Sequence, residues 1–342
     1  MKFGKVEPMK TERSRFVTTI TPQRISFAGG GTDFSDFYLK HGGAVVSATI
    51  DKFVYVTVKR HSELFQEKYR LSYSQTEHVD DISLIQNDIA RECLRFLNVE
   101  PPLFISTTSD LPVSSGLGSS SSFAVGLLLA LHNLRGESVT AGQLAEEACH
   151  IEIEVLGKPI GKQDQYAAAF GGLNYYEFRK DGRVRVESLW HSQNDSQSIF
   201  DASILFWTGI QRKAEDILSE QQRNIPSRVD SLVEMAALAR KCRDVFLNSE
   251  KLVADVAEII NKSWAHKRDF ASTISSTFLD AGVDRAVKSG ALGSKIAGAG
   301  GGGFLYVLAK KSDQIKVCEA LSDMSAVRIM YAPSGAKVLV SI

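Results

Sequence analysis

Residues 112–122, Pro-Val-Ser-Ser-Gly-Leu-Gly-Ser-Ser-Ser-Ser, constrain this chain more than any other stretch. Small residues this dense leave the backbone free to wrap an anion. Behind them Phe123, Leu127, Ala130, Leu131 and Leu134 recur at helical spacing, which predicts a helix with one apolar face on a core and its N-terminus opening at the serines. Its free N–H groups and the positive end of its dipole then point into the Gly/Ser loop, the arrangement that binds phosphate. No lysine follows the glycines, so this is not the P-loop pattern G-x-x-x-x-G-K-[ST]. Charge on a bound phosphate must be met by backbone, hydroxyls and a metal. Read alone, the stretch equally describes a serine-rich capped helix on a surface loop. Two further glycine stretches bear on that choice.

The first follows residues 15–28, which read as a strand broken at Pro22 and running into Gly29-Gly30-Gly31-Thr32-Asp33. These glycines let a backbone approach a ligand with Asp33 at the end, or form a tight turn whose Asp33 caps a helix over 34–40. Residues 44–59 predict a pair of strands, 80–97 a helix and 103–109 a strand entering the serine loop. A helix over 142–157 buries Leu144, Ala148, Ile151 and Val155, with Glu152 at the edge of the stripe, either a metal ligand or a solvated side chain. The loop 157–165 then carries Asp164 beside Lys162, and Asp164 also fits as the N-cap of a short helix over 166–170. A hairpin over 174–178 and 183–189 turns at Asp181-Gly182.

The second stretch, residues 295–304, contains G-x-G-x-x-G at 298–303. A dinucleotide fingerprint opens a helix, and this one runs into a strand, so the Rossmann reading fails. A loop that closes the second half on a ligand fits better. Around it lie a strand over 203–208, helices over 211–223, 229–248 and 252–269, and strands over 304–309, 327–331 and 337–342.

At 342 residues the chain exceeds what one core usually organises, and the polar run 192–198 divides it into domains 1–190 and 191–342. Strands and helices mix without regular βαβ alternation, which favours α+β. Forty Lys plus Arg balance forty Asp plus Glu, so charge points to neither nucleic acid nor an acidic membrane, and small molecules are the expected partners. Cys93, Cys149, Cys242 and Cys318 make neither a C-x-x-C pair nor a zinc spacing. The charged N-terminus lacks the apolar core of a signal peptide and no run reaches membrane-span length, so the expected location is cytoplasmic.

The three glycine stretches in this order resemble the GHMP small-molecule kinases, named for galactokinase, homoserine kinase, mevalonate kinase and phosphomevalonate kinase. P-x-x-x-G-L-G-S-S matches from Pro112 to Ser120, followed by G-x-x-D at 161–164 and the late glycine loop. The resemblance implies ATP with Mg2+ and an α+β fold of two domains, the second ferredoxin-like. It implies nucleotide binding by Pro112, Ser114, Ser115, Gly116, Leu117, Gly118, Ser119, Ser120 and Ser121, with Ser120 offering its hydroxyl to the metal. Glu152, five residues before Gly157, matches the acidic metal ligand. Asp164 matches the acid that accepts or orients the substrate hydroxyl proton, with Arg24 and Lys162 holding it ionised. Pro-Gln-Arg stands at 22–24 where the family commonly has Pro-Gly-Arg or Pro-Gly-Lys.

Within the family, residues 24–33, 161–166 and 208–213 look like the heptose 7-phosphate kinases, with fucokinases sharing part of the pattern. Galactokinases carry Gly-Glu-His-Thr-Asp where this chain has Gly29-Gly30-Gly31-Thr32-Asp33. The expected activity is therefore phosphorylation of the anomeric hydroxyl of a heptose 7-phosphate, for nucleotide-activated heptose synthesis. Gly30, Gly31, Thr32, Asp33, Gly172, Gly300 and Gly301 are expected to bind substrate, and Arg212 and Lys213 its phosphate. A kinase for an unphosphorylated sugar and a non-catalytic sensor on the same fold are the alternatives.

Overall fold

The computed structural model describes residues 14–62, 64–189, 193–212 and 214–342. Residues 1–13 of the charged N-terminus and Lys213 therefore lie outside the described residues.

The first half is built on a long antiparallel pair, β1 (Phe16–Ala28) and β2 (Gly43–Arg60), joined through the 29–33 loop and α1 (Ser35–His41). Residues 44–59, expected as two strands, form one. Gln23 pairs with Ile50 and Pro22 with Phe53, so Asp51 and Lys52 bulge from the ladder. Burial explains the misleading pattern. Up to Ile50 the strand is covered on both faces, and further on buried residues alternate with half-buried ones. Ala44, Val46 and Ala48 enter one core and Val45 another, as the two-residue period of a strand dictates.

Next come β3 (Tyr69–Ser72), β4 (Thr76–Val79), α2 (Asp88–Leu97) and β5 (Leu103–Ser109). The helix expected over 80–97 begins only at Asp88, where Asn87 caps it by accepting from the Ala90 N–H. α3 (Ser119–Leu134) then crosses the sheet. Expected to bury one face, it is covered nearly all round, with Ala124, Val125, Leu127, Leu128 and Leu131 inaccessible and Phe123 half-buried. α4 (Ala141–Cys149), α5 (Gln163–Phe170), β6 (Leu173–Phe178) and β7 (Val184–Ser188) complete the half.

The second half comprises α6 (Gln193–Ala202), β8 (Ser203–Trp207), α7 (Ala214–Asn224), α8 (Val229–Asn248), α9 (Leu252–Lys267), α10 (Thr277–Lys288), β9 (Ala291–Ile296), β10 (Phe304–Ala309), α11 (Gln314–Ala320) and β11 (Ser325–Arg328). Its antiparallel sheet runs β11-β8-β10-β9. Numbered within this half, that is fourth, first, third, second, the ferredoxin-like order. α10, β9 and α11 stand where no element was expected.

The division at 190/191 does not hold for the end of the chain. β12 (Lys337–Ser341) returns to the first sheet and pairs with β1, giving the order β12-β1-β2-β5-β3-β4 with β6 and β7 beside the start of β2. Of the run 192–198, Ser192 lies outside the described residues and the rest belongs to α6, whose Ile199 and Phe200 are buried. Ile25, Phe27 and Val46 share a core with Leu205, Ala239 and Ile260, so packed side chains join the halves. Among the described residues no helix is long and apolar enough to cross a membrane.

Candidate active site

The serine loop connects β5 to α3 beside a cavity of about 400 Å³ at the junction of the halves. Ser114, Gly116 and Gly118 have φ of 59°, 82° and 81°, which coils the backbone before the helix. Ser114, Ser115, Gly116, Gly118, Ser119, Ser120 and Ser121 line the cavity, and the first-turn N–H groups of α3 are free of intrahelical partners there. Pro112 is exposed and outside the lining, and Leu117 is fully buried in the core joining the halves. These two shape the loop instead of facing a ligand. The Leu117 carbonyl accepts from the Arg24 N–H at 3.0 Å, tying the loop to β1.

Gln23, which departs from the usual glycine, has a visible use. Its amide nitrogen donates to Ser119 Oγ at 3.0 Å and to Ser109 Oγ at 3.1 Å. A glycine could hold neither end of the loop.

Asp164 lies in the first turn of α5, and its carboxylate caps nothing there. Arg24 donates to it through Nε and Nη2, each at 2.7 Å, and through Nη1 to the Gly116 carbonyl at 2.8 Å. Fork geometry fixes the carboxylate's plane and leaves lone pairs for a further donor. Lys162 does not take part. Its Nζ pairs with Glu146 at 3.0 Å, and Tyr166 donates to the same carboxylate, so the expected second cation at Asp164 is engaged elsewhere.

Asp33 does not cap α1. Its carboxylate accepts from the Gly31 and Gln163 N–H groups, each at 3.1 Å, and so holds the 29–33 loop against the start of α5. Burial raises its pKa, against the lowering effect of those N–H bonds. Thr32 is buried and bonds the Gly29 and Ala44 carbonyls, which makes it a brace outside the cavity, while Gly30 and Gly31 line the wall.

Glu152 is 0% exposed, so the solvated reading fails. It sits in a π-helical turn, His150–Val155, that follows α4 directly. Such turns rotate a side chain away from the regular helical stripe. One carboxylate oxygen accepts from Ser120 Oγ at 2.7 Å and the other from Gln165 Nε2 at 2.7 Å. Burial raises the Glu152 pKa, against lowering by Ser120 and Ser121. A buried carboxylate with a hydroxyl and, among the described residues, no cation in contact fits a hard divalent ion that shares its shell with phosphates and water. Gln165, which donates to Glu152, keeps its own Oε1 buried and without a hydrogen-bond partner among the described residues.

Other expected residues are dispersed. Gly172 bonds Thr49 and Ala332 where β6 begins, away from the cavity. Gly300 and Gly301 pack on Ile274 and Ile217, and the cavity wall is formed by Gly298 and Ala299 instead. Arg212 is exposed outside the lining, and Lys213 lies outside the described residues. Lys158 and Lys267 enter the cavity without having been expected. Lys267 sits among charged neighbours at 266–269 and Lys158 in a Gly/Pro turn, and each reads as solvated surface until the chain folds.

A Gly/Ser loop opening a helix N-terminus, faced by an arginine-held carboxylate at the joint of an α+β half and a ferredoxin-like half, defines a class of two-domain proteins without a Walker lysine. The chain belongs to the GHMP kinases: the family's N-terminal domain matches residues 83–172 and its C-terminal domain residues 235–326. It is 30% identical over 320 residues to the D-glycero-alpha-D-manno-heptose 7-phosphate kinase of Campylobacter jejuni, spanning 89% of this chain and 93% of that protein. A D-glycero-D-manno-heptose 1-phosphate kinase from Bacteroides thetaiotaomicron superposes with a TM-score of 0.77 at 24% identity, covering 95% of this chain and 99% of that one. A Lactococcus lactis galactokinase complexed with galactose gives 0.72 at 17% identity, with 96% of each chain covered. These two structures share the fold with this chain.

Proposed function

We propose that the protein transfers the γ-phosphoryl group of ATP to the anomeric hydroxyl of D-glycero-D-manno-heptose 7-phosphate, giving the 1,7-bisphosphate and ADP. The observation that carries this reading is the Asp164 carboxylate, fixed by Arg24 over the backbone of Gly118, where α3 begins. The heptose assignment is supported by the Campylobacter jejuni relative, whose length this chain nearly spans.

In this reading the α3 N-terminus and the loop's N–H groups hold the polyphosphate. Glu152 and Ser120 would hold Mg2+, which when bound neutralises charge on the β- and γ-phosphates. Asp164 accepts the hydrogen bond of the attacking hydroxyl and takes its proton as the O–P bond forms and the bond to the ADP oxygen breaks. Arg24 keeps the carboxylate oriented, so the contribution is largely one of positioning. Asp33 and the 30–31 backbone offer acceptors and an N–H for sugar hydroxyls.

The test is ATP consumption by the purified protein with Mg2+ against heptose 7-phosphate, mannose 6-phosphate, fucose and galactose. Turnover confined to phosphorylated sugars, greatest with the heptose, is expected. Turnover on free sugars alone keeps a kinase and removes the substrate assignment. ATP binding without turnover on any of them points to a sensor.

A further inference from the structure

Behind the 29–31 loop lies a recess of about 20 Å³, walled among others by Ser26, Ser263, Trp264, Lys267 and Lys295. Gly30, Gln163, Lys267 and Gly298 line both it and the main cavity, so the recess opens there. That volume admits about one water. A larger group must sit at the mouth and send one atom inward.

Among the described residues Ser26 Oγ, Ser263 Oγ and Trp264 Nε1 find no hydrogen-bond partner, although Ser263 is 3% and Trp264 5% exposed. Buried polar atoms are rarely left so, and three such residues lining one recess point to a ligand. The indole N–H and lysine ammonium groups can only donate, so the ligand has to be rich in acceptors.

Charge narrows the choice further. Among the described residues neither Lys267 nor Lys295 has a carboxylate within ion-pair distance, and Lys267 spends one donor on the Gly298 carbonyl. Burial first, then repulsion from Arg24, brings the Lys267 pKa down to about 8; burial, Lys267 and Arg24 bring Lys295 down to about 7. A dianion at this place would relieve that repulsion. Asp33, Asp164 and Lys267 line one cavity, so one sugar can extend from the reacting carboxylate toward Lys267.

We infer that the mouth of this recess, with Lys267 as its cation and Ser263, Trp264 and Lys295 behind it, seats the substrate's second, non-reacting phosphate. This rests on the phosphosugar reading above, and it moves that phosphate away from Arg212, which does not reach the cavity wall.

Three variants test it: the double change Ser263→Ala with Trp264→Phe, which deletes two unpartnered polar atoms and keeps the packing, Lys267→Met, and Lys267→Arg for comparison with it. KM is measured for heptose 7-phosphate and for ATP, with affinity for the dephosphorylated heptose by calorimetry and thermal midpoints alongside. The double variant is expected to raise KM for the phosphosugar about tenfold, with KM for ATP and the midpoint held. Lys267→Met should erase the preference for phosphorylated over free heptose, and Lys267→Arg should keep part of it. If wild type prefers the phosphosugar and every variant retains that preference, the inference falls and the kinase reading stands. A parallel rise in KM for ATP would mark a structural role and overturn it. Wild type acting on free sugars alone would overturn the substrate reading and the inference with it.

Discussion

Gly116 of the serine loop and Gly298 of the β9–β10 loop lie backbone against backbone: a Cβ on Gly298 would come 2.4 Å from the Gly116 carbonyl oxygen and 2.5 Å from its Cα. The contact brings the two halves of the chain together at the mouth of the cavity. Both residues also have positive φ, 82° and 62°, so a side chain at either adds strain to the collision.

Gly298→Ala should therefore part the loops, raising KM for ATP and lowering stability by about 1–3 kcal/mol. Denaturant unfolding beside initial-rate kinetics checks this, and an unchanged KM for ATP would show that the contact is incidental to the nucleotide.

Asp164→Asn should lower kcat by about 10²–10⁴-fold while leaving ATP affinity nearly intact, because the amide keeps the shape and cannot take the hydroxyl proton. Fluorescent-nucleotide titration and turnover on one preparation separate these effects. Retention of most kcat would reduce Asp164 to a structural partner of Arg24.

Arg24 and Lys162 should differ. Arg24 is 4% exposed and grips Asp164 through two donors, whereas Lys162 is committed to Glu146. Arg24→Ala should cost kcat on the order of tenfold or more, and Lys162→Ala markedly less. Equal losses would restore Lys162 to the reacting carboxylate.

Glu152→Gln should raise the Mg2+ concentration for half-maximal rate by about 10–100-fold. It also removes a carboxylate that burial disfavours in its ionised form, so the metal-free variant should melt no lower than wild type at neutral pH. Mg2+ titration of rate and melting of both proteins in a chelator decide it.

His132 makes folding stability depend on pH away from the reacting groups. Its Nδ1 lies 2.8 Å from Glu137 and its Nε2 2.7 Å from Glu147, with Arg135 also on Glu137. Burial opposes the imidazolium, and the two carboxylates outweigh it, so the His132 pKa is raised. A raised histidine pKa contributes stability that is complete below the unfolded value and lost as pH rises through the folded one. The lowered pKa of Glu147 acts in the opposite direction, only at acid pH. Wild type should thus exceed His132→Gln by about 1–2 kcal/mol more near pH 6 than near pH 9. Urea unfolding of both at the two pH values is the measurement, and a constant difference would exclude the ion pairs.

The sequence by itself determined the local features. β5 and β10 begin and end where the periodicity places them, and so does α8, because strand alternation, helical spacing and flanking glycines act between near neighbours. The serine loop was legible as a glycine-coiled turn opening a helix at Ser119 for the same reason. Glu152 was legible only as an edge position, since a regular helical wheel cannot anticipate the π turn that carries it inward.

Tertiary structure decided who meets whom. Arg24 and Asp164 are 140 residues apart, and nothing local distinguishes Lys162, two residues from Asp164, from Arg24 as its partner. Nor does the sequence show that β12 leaves the second half to pair with β1, or that Lys267 turns inward from the end of α9. Backbone conformation is set largely by neighbours in the chain. Partner choice and burial are set by which surfaces the whole fold packs together, and a pattern within a few residues cannot record that.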